Sequence, residues 1–217
     1  MDKLDYKKAY PELYLPPSKP VLVDIPSLPF IMVDGQGDPN DPEGEYSKAL
    51  QLIYALSYTI SMSGKGVSVP KGYFPYVVPP LEGLWWMKDG GKPNYIDKKQ
   101  FCWISMIRQP EFVNSDVFAW SQEQVWRKKR IDATPARLQW YAEGACVQCL
   151  HVGPFDEEPR TLERMEAFMQ QNGLVCDIGA SVEGGMTRQH HEIYLSDFRK
   201  VSPEKNRAVV RHPVRRD

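Results

Sequence analysis

At 217 residues, with 42% hydrophobic and 25% charged side chains, the chain has the make-up of a globular protein, with room for one large domain or two small modules sharing a core. Lysine and arginine number 27 against 28 aspartates and glutamates, a net charge of −1, so no global field draws polyanions and direct nucleic-acid binding is not expected. No apolar run reaches the roughly 20 residues of a membrane span, and the charged, proline-bearing opening lacks a signal-peptide pattern; a cytoplasmic location is the expectation.

Residues 1–27 read as an irregular, proline-rich lead-in, too short for a helix-turn-helix. A strand is expected over Phe30–Val33, then glycine punctuation at Gly35 and Gly37. Asp41 and Pro42 read as the N-cap and first position of a helix. Ala49, Leu50, Ile53, Leu56 and Ile60 form its apolar stripe, ending near Gly64. YFPYVVPPLEGLWWM and QFCWISMIRQ read as strands, separated by a loop at KDGGKPNYIDKK. A linking helix over about 115–130 is capped by Asn114 or Ser115. Ala145–His151 is the next strand, then a helix with Glu158 at the N-cap, Pro159 at N1 and Gly173 at C′, its stripe formed by Leu162, Met165, Phe168 and Met169. His190–Ser196 closes the pattern, and the basic stretch Lys200–Arg216 reads as a solvated tail.

Aligning VDGQGDPND with LHVGPFDEE gives an internal duplication. The expected fold class is α+β: duplicated strand–helix–strand–strand modules, at about 28–110 and 143–198, with antiparallel sheets around a central ligand pocket, in a single domain over 28–214. Cys102, Cys146, Cys149 and Cys176 read as buried hydrophobes of a reducing compartment. Cys146 and Cys149 form a CxxC, but strand geometry sends side chains three apart to opposite faces, so neither a metal nor a disulfide is expected there.

Alternation also sorts the chemistry. On the last expected strand His190, Glu192, Tyr194 and Ser196 share one face, and His191, Ile193 and Leu195 the other, assigned to a helix-covered core. Phe101, Trp103 and Ser105 share a face, as do Glu82, Leu84 and Trp86. Aromatics from three strands and carboxylates from two are therefore expected around one concavity. Such walls suit aromatic, lipophilic or cationic small molecules, with a desolvated carboxylate as counter-charge or general base. His151, before Gly153–Pro154, overhangs the same pocket. Neighbouring strand residues diverge and His190–His191 with Glu192 lacks a third ligand, so no metal site is expected. No cofactor motif is present either.

FIMVDGQGDP, PLEGLWW, FCWISMIRQPEFV, HVGPFDEEP and HHEIYLSDFRKVSPEKNRAVVRHPV, in that order, resemble the GyrI-like small-molecule-binding family, and within it the stand-alone bacterial branch. The resemblance implies paired modules with a ligand pocket between them, and Glu192 matches the buried carboxylate that holds lipophilic cations in related multidrug-sensing domains. Some stand-alone members hydrolyse the cyclopropane of DNA-alkylating compounds with paired glutamates and pocket aromatics. The resemblance therefore implies a catalytic pair of Glu192 and Glu157, with Glu158 and Glu82 competing for the second role. Glu82, Trp86, Phe101, Trp103, His151, His190 and Tyr194 are its expected ligand contacts.

Overall fold

A computed structural model describes residues 3–66, 69–90, 98–197 and 199–217. Two one-turn helices, α1 (Tyr6–Ala9) and α2 (Pro11–Tyr14), precede strand β1 (Val21–Gln36), helix α3 (Glu45–Ser61), β2 (Leu81–Met87), β3 (Phe101–Arg108), α4 (Ser115–Lys129) and β4 (Ala136–Val152). Helix α5 (Pro159–Gln171), β5 (Leu174–Cys176), β6 (His190–Tyr194) and β7 (Arg207–Arg216) complete the chain. The lead-in is therefore not irregular throughout: it holds both short helices and the start of β1. Most of the expected KDGGKPNYIDKK loop, residues 91–97, lies outside the described residues.

Strand order is β4-β1-β3-β2-β6-β7-β5, and β4 also pairs with β7. All seven pairings are antiparallel. Six strands thus close into a barrel-like ring, with β5 appended to β7, in an α+β architecture. Helix α3 covers the outer face of β1 and β3, and α5 that of β4. The inner face is packed with Phe30, Met32, Leu84, Ile104, Met106 and Ile193, among others, and leaves a cavity of only about 10 Å³.

Local chemistry explains where elements start and bend. Asp41 does not cap α3. Its carboxylate accepts from Glu43 N within the preceding turn, Gly44 is the N-cap, and the helix begins at Glu45. The stripe from Ala49 to Ile60 is buried as its spacing predicts. Asn114 caps α4 by accepting from Val117 N. Glu158 and Pro159 stand at the N-cap and first position of α5. In β4 the inward set changes from Tyr141 and Glu143 to Cys146 and Gln148, and Gly144, at φ +72°, lies between them. An extra residue in one strand inverts its alternation, and glycine accepts the left-handed backbone this needs. Cys146 thus faces the ring interior and Cys149 packs under α5, so the CxxC sulfurs diverge. Cys176, expected to be buried, is exposed, and Cys102 is only partly buried.

Two strands are longer or later than their patterns imply. β4 begins at Ala136, well before Ala145. The basic tail is not a solvated segment: residues 207–216 form β7, with Ala208, Val209, Val210 and Arg211 buried. Arg211 is accommodated by Glu143 and Gln148, each at 3.1 Å from a guanidinium nitrogen.

Candidate functional site

The pleat puts His190, Glu192 and Tyr194 on the outer, helix-covered face of β6, and His191 and Ile193 inside the ring, the reverse of the layers expected. Registry then decides their neighbours. Gly83 lies opposite Glu192, Leu81 opposite Tyr194 and Trp85 opposite His190, while Trp85 also faces Trp103. Trp85, not Trp86, therefore belongs to this site.

Glu158 completes it from the start of α5. His190 Nε2 is 3.1 Å from Glu158 Oε1 and 3.2 Å from Glu192 Oε1. A ring nitrogen carries one proton, and the hydrogen bond goes to Glu192; Glu158 Oε1 is buried without a hydrogen-bond partner. On the ring's other side, His190 Nδ1 is 2.7 Å from His212 Nε2 on β7. Burial acts against charge on His190, but the Glu158 and Glu192 carboxylates overcome it and raise the pKa to about 10. Burial, and then the positive His190, pushes His212 down to about 3, so His212 is a neutral acceptor. Burial, and then the neighbouring Glu192, raises Glu158 above the usual carboxylate range.

Aromatic rings wall this cluster. Tyr194 OH accepts a 2.9 Å hydrogen bond from Trp85 Nε1, and Phe155 meets the Tyr194 ring edge-on at 5.9 Å. Tyr46 of α3 lies 5.3 Å from Trp85 and 5.1 Å from Trp103. Two glycines make this close packing feasible. A Cβ on Gly35 would lie 2.2 Å from the Trp103 ring, and one on Gly83 2.6 Å from Trp85 Nε1. Tyr46 and Tyr194 also line an open groove of about 1620 Å³ along α3, with Leu50, Tyr54, Tyr58 and Trp120.

Of the residues expected here, His190, Glu192 and Tyr194 converge. Glu157 does not; it makes a surface ion pair with Arg160. A helix start turns successive side chains apart, and only Glu158 faces β6. Phe101 and Trp103 are core residues under α3. His151 is committed elsewhere: Nε2 lies 3.1 Å from Pro154 O, so it donates, and Nδ1, 3.0 Å from Thr161 Oγ1, accepts. Glu82 and Trp86 face inward, away from Glu192. Glu82 Oε2 is 3.0 Å from His191 Nε2, whose Nδ1 is 3.0 Å from Glu143 Oε2, and Arg211 Nη1 completes the network on Glu143. Sequence patterns missed Tyr46, Trp85, Phe155 and His212, and left Glu158 as one of two competitors to Glu157. Only the strand register could have found Trp85, and His212 lay in the stretch read as tail.

The GyrI-like small molecule binding domain matches residues 18–215. The chain belongs to the GyrI-like family. A hydrolase from Listeria innocua is 42% identical to this GyrI-like chain, with TM-score 0.86, covering 98% of this chain and 100% of that one. An uncharacterized conserved protein from Listeria innocua is 44% identical, with TM-score 0.89 and the same coverage. The C-terminal domain of EcmrR, at 12% identity and TM-score 0.50 over 92% of this chain and 98% of that one, shares the fold alone. No curated protein matches the chain. Among the described residues no helix is long and apolar enough to cross a membrane.

Proposed function

We propose that this GyrI-like protein is a small-molecule hydrolase of the stand-alone branch that opens the cyclopropane of DNA-alkylating aromatic compounds, a detoxification carried out in the cytoplasm. The observation that carries this reading is the meeting of Glu158 and Glu192 at one nitrogen of His190, beside Tyr194, Trp85 and Tyr46. The 42% identity to a hydrolase supports the reaction class. Planar rings of the substrate stack against the aromatic walls. Glu192, the more open carboxylate at 13% exposure against 2% for Glu158, takes a proton from water as its oxygen bonds to the ring methylene. The methylene–carbon bond breaks, its electron pair passes into the conjugated carbonyl, and the phenolate so formed stays in the same molecule and takes up a proton from solvent. Glu192 then returns the proton to solvent. Glu158 holds the geometry through His190.

Incubation with a cyclopropane-bearing aromatic alkylator tests this directly: the product gains the mass of one water. Glu192→Gln should lower the rate by about 10²–10⁴-fold with the fold retained by circular dichroism. Turnover by that variant at the wild-type rate removes Glu192 from the mechanism. The groove along α3 favours a second reading, a non-catalytic binder of lipophilic aromatic cations, in which the compound is retained with its mass unchanged.

A further inference from the structure

We propose that Glu158, His190 and Glu192 also form a binding site for one divalent cation of the zinc class. Sequence spacing excluded a metal because His190 and Glu192 lacked a third ligand. The start of α5 supplies it. Among the described residues this is the one group of three or more metal-binding side chains whose ligand atoms all lie within 4.8 Å of one another. Tetrahedral arms of about 2.1 Å place ligand atoms about 3.4 Å apart. The two separations from His190 Nε2, 3.1 and 3.2 Å, are close to that value.

An independent observation points to a missing partner. Glu158 is 2% exposed, yet its Oε1 faces His190 without a hydrogen bond. A buried carboxylate oxygen without a donor is costly, and a cation at that point satisfies it. The surroundings suit metal ligation. A ligating imidazole usually donates its other N–H to an acceptor, which fixes the ring, and His212 Nε2 stands 2.7 Å from His190 Nδ1. The two carboxylates beside His190 Nε2 offset the charge of a dication. One imidazole with two carboxylates suits zinc better than magnesium, which keeps its water and prefers an all-oxygen shell. Pro159 fixes the entry to α5, and the i, i+2 spacing in β6 fixes the other two ligands, so the set sits on rigid elements.

The site does not depend on the hydrolytic reading and is measured without substrate. If both hold, bound zinc occupies the carboxylate that takes the proton from water, and zinc lowers turnover. The probe is Zn²⁺ in equilibrium dialysis against the full chain carrying Cys176→Ser, which removes the exposed thiol. One zinc per chain is expected, with no comparable binding of Mg²⁺. His212→Phe should weaken zinc by about 10–100-fold, and Glu158→Gln and His190→Gln by more. Glu163→Gln, an exposed acid on the same helix, should leave it unchanged. Zinc-edge X-ray absorption should show nitrogen and oxygen neighbours near 2.0–2.1 Å. Absence of binding, equal binding of Mg²⁺, a sulfur neighbour, or unchanged affinity in the ligand variants overturns the proposal. Should a ligand variant fail to fold, dialysis and absorption on the parent chain still decide it.

Discussion

Gly83 shows how much of the site depends on what is absent from a side chain. It pairs across the ladder with Glu192, and the space above it holds the Trp85–Tyr194 hydrogen bond. Gly83→Ala would place a methyl 2.6 Å from Trp85 Nε1 and 3.3 Å from Tyr194 OH. We expect a loss of about 1–3 kcal/mol in denaturant stability from this overpacking, with changed tryptophan fluorescence. At this scale the sequence was partly legible. Alternation correctly set His190, Glu192 and Tyr194 on one face, because a strand has period two. It could not choose between Glu157 and Glu158, because that choice depends on the turn entering α5. Nor could it tell that Glu82 and Glu192 face opposite ways, because one-strand patterns carry no inter-strand register.

The long helices α3 and α5 are the elements their patterns describe best. Leu56 of α3 is fully buried against β1 and β3. Leu56→Ala should cost about 2–5 kcal/mol, read as a lowered denaturant midpoint. Because Tyr46 belongs to the same helix, substrate affinity should fall in that variant as well. The strands were read unevenly. The first half of β4, ARLQWYAEG, and β7, RAVVRHPVRR, carry too many charged and polar residues for a simple alternation. Their polar groups are buried only because partners distant in sequence meet them: Arg211 of β7 with Glu143 of β4 and with Leu13 O. Burial by pairing leaves no periodic signal.

The molecule as a whole is held by two polar systems on opposite faces of one sheet. The inner one links Glu82, His191, Glu143 and Arg211, and reaches the N-terminal segment through Arg211 Nη2 to Leu13 O at 2.9 Å and Gln148 Nε2 to Glu12 O at 2.6 Å. Burial acts to raise the pKa of Glu143, but His191 and Arg211 prevail and lower it from 4.5 to about 2. A carboxylate depressed in the folded state contributes stability that is fully present above its unfolded pKa and is lost as pH falls through the folded one. Between about pH 4.5 and 2 the chain should therefore lose on the order of a few kcal/mol through this group, seen as an acid-side slope in urea midpoints. Glu143→Gln should flatten that slope while lowering the plateau, since Arg211 and His191 lose a partner. The α+β class and the antiparallel pairing were legible because strand and helix periods differ, whereas closure of the sheet was not. That closure has a consequence in time. β4 takes β1 on one side and β7 on the other, so residues 21–33 wait for partners at 136–148, and the last seam awaits 207–213. Contacts so distant in sequence slow a chain's search, and a chain emerging from its N-terminus holds β1 with an unsatisfied border until most of the protein has been made. Refolding on the millisecond-to-second scale, accompanied by a concentration-dependent side reaction, is the kinetic signature of a ring that cannot close early.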